Sequence, residues 1–143
     1  MSFLLDTCVL SEFIKKSPRH QVVDWVNAQE ESTLYLSVLT MGELEKGVAK
    51  LPASARKTKL TTWVRRDLTA RFAGRIIPID MRVATRWGAI TGESERRGAP
   101  LPIVDSLIAT SALIHDLQVV TRNTDDFTRC GVACINLWEE QSV

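Results

Sequence analysis

The stretch Phe3-Leu4-Leu5-Asp6-Thr7-Cys8-Val9-Leu10-Ser11-Glu12 decides how the rest of this chain is interpreted. A short apolar run ends at an aspartate, and a segment with helical spacing then begins. This order predicts a buried strand that delivers the Asp6 carboxylate to its carboxyl end, with a helix directly after it. Sites in open α/β sheets are built at the carboxyl ends of the strands. We therefore expect Asp6 to be the first of several carboxylates that gather there to hold a divalent metal ion.

Composition is that of an ordinary folded protein, with 143 residues, 45% of them hydrophobic and 24% charged. The net charge of +1 argues neither for nor against nucleic acid, since a local basic surface can exist beside an acidic pocket. Cys8, Cys130 and Cys134 lack the spacing of a disulfide framework or a zinc site, which is typical of reduced cytoplasmic thiols. No apolar run approaches membrane-spanning length, so we expect one cytoplasmic domain over residues 1–143, with no membrane partner.

Strand-like and helical segments alternate along the rest of the chain. Apolar runs predict strands near residues 34–38, 75–79, 118–121 and 133–136, and helical spacing predicts helices near residues 21–29, 81–97 and 103–115. Thr40 is predicted to cap a further helix, with Glu43 as the acid of a capping box, and this helix forms a hairpin with the basic, aromatic stretch at residues 57–71. A frayed tail is expected after Trp138. The alternation predicts an α/β fold in which helices cover both faces of a parallel sheet.

Acidic side chains follow the predicted strands at several points. They are Asp6 after the first strand, Glu43 in the helix after the second, and Asp125 and Asp126, beside the amide Asn123, just past the strand at 118–121. A further acid, Asp105, lies in the first turn of the apolar helix at 103–115. In a doubly wound sheet all of these positions can face the same rim. The sequence therefore predicts one acidic site assembled from distant segments.

Asp105 is the most informative of these acids. The residues one helical turn on, Ile108 and Ala109, are apolar, so the Asp105 carboxylate is expected to be partly buried. Burial of an ionised carboxylate is costly unless the group is paired or binds metal, and Mg²⁺ and Mn²⁺ prefer oxygen ligands. Three or four carboxylates around one or two such ions would activate a water and stabilise charge on a phosphate that is being cleaved.

Each acid also has a simpler explanation. Asp6 alone is explained as a helix cap, and Glu43 alone as the capping-box acid. Asp105 alone is explained equally well by its favourable position near the positive end of a helix dipole. Asp125 is expected to be a solvated loop acid. The metal-site hypothesis therefore depends on the joint placement of these residues and not on any one of them.

With these residues in view, the chain resembles PIN-domain ribonucleases, most of all the VapC-type toxins of bacterial toxin–antitoxin pairs, including the FitB-like branch. The matching stretches are Leu5-Asp6-Thr7 with Leu10-Ser11-Glu12, Leu36-Ser37 with Glu43-Leu44 and Gly47, Leu101-Pro102 with Asp105 and Ile108-Ala109, and Val120-Thr121-Arg122-Asn123 with Asp126-Phe127. Each motif is short, but their order and spacing together are fairly specific, and they span nearly the whole chain.

The resemblance implies a Rossmann-like three-layer sandwich with a five-stranded parallel sheet, and a Mg²⁺- or Mn²⁺-dependent endoribonuclease that cuts RNA. It also implies a homodimer or a higher toxin–antitoxin assembly. A small cognate antitoxin protein would occupy the acidic groove, and operator DNA would be bound only through that antitoxin. The basic stretch at residues 57–71 has two candidate roles, dimerisation and contact with RNA.

The resemblance also assigns site residues. Asp6, Glu43 and Asp105 match the metal-holding acids of the family. At the fourth position some members carry an acid where this chain has Asn123, and others use the acid at Asp126. Both residues are therefore candidates for the site, and Asp126 is the acidic candidate for metal binding.

Three further residues beside these acids have expected roles. Thr7 and Thr121 are expected to hydrogen-bond to the acids or to a water in the site. Cys8 stands where the family commonly has Asn, and it is not expected to be a ligand.

Other classes of protein fit the acids less well. An aspartyl-phosphate phosphatase would need a second acid two residues after Asp6, where this chain has Cys8. A phospho-acceptor receiver would carry paired acids near its first strand and an acceptor Asp after a middle strand. A PIN fold kept only as a non-catalytic binding module for its partner is the alternative that stays open, although such a fold would be expected to lose its site acids. We therefore expect metal-dependent hydrolysis of RNA phosphodiester bonds.

Overall fold

A computed structural model describes residues 1–139, in which one parallel sheet lies between two layers of helices. Its strands are β1 (Phe3–Leu5), β2 (Leu34–Ser37), β3 (Ile76–Ile77), β4 (Gln118–Val120) and β5 (Cys134–Ile135). The order across the sheet is β3-β2-β1-β4-β5, and every neighbouring pair is parallel. The predicted five-stranded parallel sheet is thus confirmed, with β1 at its centre.

The helices connect the strands in the predicted order, with one more short helix between the last two strands, where a loop was expected. They are α1 (Thr7–Glu12), α2 (His20–Ala28), α3 (Val38–Ala49), α4 (Ala55–Thr62), α5 (Thr69–Arg71), α6 (Met81–Arg96), α7 (Ile103–Ile114) and α8 (Thr124–Thr128), with a 3-10 turn at Glu31–Thr33. A π-helical turn at Trp63–Leu68 joins α4 to α5. None of the helices within residues 1–139 is long and apolar enough to cross a membrane.

Two hydrophobic clusters show that helices cover both faces of the sheet. Successive residues of a strand point to opposite faces. Accordingly, Leu5 packs in a cluster with Val64 and Phe72, whereas Leu4 packs in a second cluster with Ile108 and Phe127. The three-layer sandwich is therefore confirmed, and the two cores fix the strand ends from which the site is built.

The helix that follows β2 corrects one prediction. Ser37, not Thr40, caps α3, because β2 ends at Ser37 and its hydroxyl accepts a hydrogen bond from the Leu39 N–H at 3.1 Å. Thr40 lies inside the helix, buried, and its hydroxyl has no hydrogen-bond partner in the described part of the chain. Glu43 consequently lies in the second turn of α3 and is not a capping-box acid.

The predicted helical hairpin is present between α3 and the continuous helical segment at residues 55–71. Val64 and Leu68 are buried against the core, while Arg65 is exposed and donates to Glu45 of α3 at 2.9 Å. The predicted capping of α1 by Asp6 is also correct, since its Oδ1 accepts from the Thr7 N–H at 2.9 Å. Residues 140–143, the end of the predicted tail, lie outside the described residues.

Candidate active site at the carboxyl edge of the sheet

Four carboxylates meet where three adjacent strands end. Asp6 follows β1 at the centre of the sheet, Glu43 comes from α3 after β2, and Asp126 comes from α8 after β4. Asp105 reaches the same place from the first turn of α7. The Asp105 carboxylate is close enough to Asp6, Asp126 and Glu43 for all three to raise its pKa. The structure thus brings together the four acids that the sequence singled out. Asp125 is exposed, as expected, although it lies in the first turn of α8 and not in a loop.

Asp6 is the most deeply buried of these acids, with 7% of its surface exposed. Its Oδ1 caps α1, and its Oδ2 accepts a hydrogen bond from the Thr121 hydroxyl at 2.8 Å. Burial raises the pKa of Asp6, although the hydrogen bonds from Thr121 and Thr7 oppose that shift. The Asp6 carboxylate therefore has two roles: one oxygen caps α1, and the other faces the site.

Thr7 connects the centre of the sheet to α3. The Thr7 hydroxyl donates to Oε1 of Glu43 at 2.6 Å, and the Thr7 N–H donates to Asp6. The predicted hydrogen bonds from Thr7 and Thr121 to the acids are therefore both present. Because Thr7 is the second residue after β1 and Thr121 is the first after β4, the ends of the two strands fix where the acids lie.

Asn123 bridges the remaining two acids. Its side-chain Nδ2 donates to Oδ2 of Asp105 at 2.9 Å and to Oδ2 of Asp126 at 2.8 Å. The Asn123 backbone N–H donates to the Thr121 hydroxyl at 3.0 Å, which joins this bridge to the Asp6 end of the site. Both candidates for the fourth position thus belong to the site, one as an acid and the other as the amide that holds two acids.

Asp105 carries the strongest electrostatic signature of the site. Its burial, followed by the charges of Asp6, Asp126 and Glu43, raises its pKa to about 6, and the hydrogen bond from Asn123 only partly opposes this. The partial burial predicted from the apolar line of α7 is confirmed. A carboxyl group held among three others is in an unfavourable state that a divalent cation would relieve.

The chemistry of the donor set fits a hard cation such as Mg²⁺ or Mn²⁺, because the converging ligands are carboxylate oxygens. In this structure, hydroxyl and amide donors form hydrogen bonds to those oxygens. Within residues 1–139, no three His, Cys, Asp or Glu side chains are already close enough together to coordinate one metal ion. A cation shared by Asp105 and Asp126 would therefore require the Asn123 amide to turn away from the space between them.

The Cys8 thiol lies beside the acids. Its Sγ is 3.9 Å from Oδ2 of Asp6 and accepts a contact from the Arg122 N–H at 3.5 Å. Burial and the nearby Asp6 charge raise the pKa of the Cys8 thiol, so it stays protonated at neutral pH.

Sequence reasoning missed a second polar cluster, immediately behind the site. Glu12 is buried with 1% of its side chain exposed, and it accepts from Lys15 Nζ at 2.6 Å, Arg19 N at 2.9 Å and Trp138 Nε1 at 3.3 Å. The Arg122 guanidinium lies 4.7 Å from the centre of the Trp138 ring. Because Arg122 stands between Thr121 and Asn123, this cluster supports the backbone that carries two of the site's hydrogen-bond donors.

Comparison with known proteins identifies the family. The PIN domain family matches residues 3–132, most of the chain. The chain belongs to the PIN-domain family. This PIN domain is 35% identical over 136 residues to VapC ribonuclease Y4jK of Sinorhizobium fredii, covering 95% of the chain and 97% of the relative. It is 36% identical over 137 residues to Toxin FitB of Neisseria gonorrhoeae, covering 96% and 99%.

A solved structure extends the likeness to three dimensions. The structure of FitAB bound to an IR36 DNA fragment contains a chain that superposes on this PIN domain with a TM-score of 0.90. The two are 34% identical, and the match covers 98% of each chain. The resemblance stated from short motifs is thus confirmed over the whole fold.

Proposed function

We propose that this PIN domain is a metal-dependent endoribonuclease and acts as the toxin of a toxin–antitoxin pair. The observation that carries the proposal is the convergence of three carboxylates on Asp105, whose pKa is raised to about 6 by its burial and by these neighbours. Such perturbed, convergent acids are typical of functional sites. Two relatives support the same assignment, because the proteins named VapC ribonuclease Y4jK and Toxin FitB match this chain over nearly its full length.

In this proposal Asp6, Glu43, Asp105 and Asp126 hold Mg²⁺ or Mn²⁺. When bound, the cation would lower the pKa of a water and neutralise charge on the phosphate of the RNA. The protein's own contribution is to keep its acids in place. Asp6 is fixed by Thr121 and by the start of α1, and Glu43 by the Thr7 hydroxyl.

Asn123 has a separate role in the proposed site. Its amide donates to Asp105 and Asp126, which keeps the two carboxylates near each other despite their repulsion. If a cation is held there, Asn123 would remain beside it as a neutral hydrogen-bonding group and would orient Asp105 and Asp126. Asn123 thus acts in the site beside Asp126, so the two candidates for the fourth position do not exclude each other.

The proposed partners follow from the same relationship. FitAB is a complex that binds DNA, and the present chain matches one of its components over nearly its full length. We propose that this PIN domain likewise binds a cognate antitoxin protein, forms a homodimer or a higher toxin–antitoxin assembly, and meets operator DNA only through the antitoxin. RNA is the substrate of the free toxin.

The experiment that tests the function is cleavage of total cellular RNA by purified, antitoxin-free protein with Mg²⁺, Mn²⁺ or EDTA. Asp105→Asn should lower metal-dependent cleavage by about 100-fold or more, since losing groups that merely orient a metal ligand commonly costs 10–100-fold. Asp125→Asn is the matched control, because it makes the same chemical change at an exposed acid near the site. An Asp105→Asn protein that cuts RNA as fast as wild type would refute the site. A folded wild-type protein with neither cleavage nor Mn²⁺ binding would favour the non-catalytic binding module.

A further inference from the structure

A groove of ≈ 500 Å³ lies against α3 and opens directly from the acidic site. Thr7 and Glu43 line one part of it, and they are also the pair that joins Asp6 to α3. The remaining wall is formed by α3 itself, with Val104 of α7 among the other lining residues. Whatever passes through the acidic site can therefore continue along this groove without a break.

Two lysines give the groove a positive wall. Lys46 and Lys50 line it and follow Glu43 at one and two turns along α3, about 4.5 and 10 Å along the helix axis. Both side chains are exposed, and within residues 1–139 neither takes part in an ion pair. The neighbouring acid of the same helix, Glu45, is bound to Arg65 at 2.9 Å and so does not neutralise them.

Two glycines leave the wall of the groove without side chains. Gly42 and Gly47 lie inside α3, where glycine costs roughly 1 kcal/mol of helix stability relative to alanine. A Cβ atom at either position would meet nothing within 4 Å, so packing inside this chain does not require glycine. Glycines that the chain's own packing does not explain allow an external ligand to approach the helix backbone closely.

We propose that this groove binds the sugar–phosphate backbone of the RNA strand next to the bond that is cut, with Lys46 and Lys50 each contacting a phosphate. The inference rests on the proposed function, because it takes the acidic site as the point of cleavage. The acids repel a polyanion, and two lysines directly beside them offset that repulsion and hold the strand in line. Continuity with the acidic site favours RNA over an acidic protein segment, because a strand that is cut at the site must continue beyond it.

The test measures binding of a fluorescently labelled, single-stranded RNA oligonucleotide of mixed sequence in EDTA, where metal-dependent cleavage is suppressed. Fluorescence anisotropy at a series of KCl concentrations gives the slope of log K against log salt. Each phosphate contact on a single strand contributes about 0.7 to that slope. Lys46→Gln/Lys50→Gln should therefore reduce the magnitude of the slope by about 1.4.

The matched control removes the same charge elsewhere. Lys16→Gln/Arg86→Gln changes two exposed cations that do not line the groove, and it should leave the slope at its wild-type value. A slope for Lys46→Gln/Lys50→Gln equal to that of the control would overturn the proposal and leave the groove to an acidic protein segment. Failure of wild-type protein to bind the oligonucleotide at low salt would overturn it as well.

A second variant tests the glycines without changing charge. Gly42→Ala/Gly47→Ala should raise or maintain the melting temperature, because alanine favours the helix and meets no atom of this chain. The same variant should weaken RNA binding while keeping the wild-type salt slope, since the added methyl groups stand where the strand would lie. Unchanged affinity would show that nothing approaches α3 closely and would overturn this placement of the strand.

Cleavage assays on the same samples separate this proposal from the function on which it rests. Asp105-dependent cleavage by wild type, together with no effect of Lys46→Gln/Lys50→Gln on the salt slope, would overturn the groove and leave the ribonuclease intact. If Lys46→Gln/Lys50→Gln reduces the slope but the wild-type protein does not cleave RNA, the ribonuclease would be refuted and the groove would remain an RNA-binding site.

Discussion

At the scale of single residues, Asp105 lowers the stability of the folded protein at neutral pH, because its carboxylate is partly buried among other acids. Its pKa is raised from 3.8 to about 6 by burial and by three neighbouring acids, so the folded protein binds a proton there more tightly than the unfolded chain does. The contribution of Asp105 to the free energy of unfolding therefore falls as the pH rises from about 4 to about 6, and stays low above that.

Replacing Asp105 by Asn should consequently stabilise the metal-free protein at pH 7.5, by about 1–2 kcal/mol. The gain should shrink as the pH falls through 6 and be nearly gone at pH 4, where Asp105 is protonated in the folded protein and about half protonated in the unfolded chain. Urea unfolding in EDTA at several pH values measures this difference. A gain that is the same at pH 4 and at pH 7.5 would contradict the electrostatic origin of the raised pKa.

Glu12 is the opposite case, a buried carboxylate whose partners more than compensate its burial. Although burial alone raises its pKa, hydrogen bonds from the Arg19 N–H, Lys15 and Trp138 bring the pKa of Glu12 below its ordinary value. A lowered pKa contributes stability above the unfolded value of 4.5, and that stability is lost as the pH falls through the folded pKa.

Glu12→Gln should lower the free energy of unfolding at pH 7 by about 2–4 kcal/mol, because the new NH₂ group would face donors in a buried position. Chemical denaturation at pH 7 measures the loss. Glu45→Gln is the control, because Glu45 makes an exposed ion pair with Arg65. The denaturation midpoint of this variant should be nearly the same as that of wild type. Equal effects of the two substitutions would show that the Glu12 cluster does not brace the fold.

At the scale of elements, the end of α6 sets the position of Asp105. Gly98 has a φ of 75°, and its N–H donates to Glu95 O at 2.9 Å while the Ala99 N–H donates to Ser94 O at 2.8 Å. This pair of bonds is a Schellman motif, which requires a left-handed residue and so favours glycine. The motif stops α6 and turns the chain into the proline loop that precedes α7.

Gly98→Ala should therefore destabilise the protein by about 1–2 kcal/mol, because alanine is strained at this φ. Gly88→Ala, in the middle of the same helix, is the matched control: its Cβ meets nothing within 4 Å, and it should stabilise the protein by about 0.5–1 kcal/mol. Thermal unfolding of the two variants measures both changes. Shifts of the same sign would contradict this account of how α6 ends.

Elements were predictable from the sequence where local chemistry decides them. Apolar runs identified the strands, and Asp6, Glu43 and Asp126 were found because each comes after one of them in the chain. Asp105 was found because it stands in the apolar line of α7. The cap of α3 was mistaken because the end of β2 depends on which residue the sheet pairs last, and Ser37 pairs with Ile77. The Glu12 cluster had no local signal, since Glu12 and Trp138 are 126 residues apart.

At the scale of the whole molecule, strand order explains why the acids meet. The chain runs from β1 to β2 and β3 on one side of the sheet, and then returns to place β4 and β5 on the other side. The connections thus diverge between β1 and β4, and this is the point of a parallel sheet where ligands bind beyond the carboxyl ends of the strands. Asp6 follows β1, and Thr121, Asn123 and Asp126 follow β4 at that point.

This arrangement makes the site a link between the two halves of the sheet, so a cation bound there should stabilise the entire fold. A ligand at 100 times its dissociation constant adds about 2.7 kcal/mol to the free energy of unfolding. Mn²⁺ or Mg²⁺ should therefore raise the melting temperature in a concentration-dependent way, relative to KCl of equal ionic strength. Asp125→Asn should retain the shift and Asp105→Asn should lose it. An equal shift in Asp105→Asn would place the ion elsewhere on the molecule, because the substitution removes the carboxylate on which the other three converge.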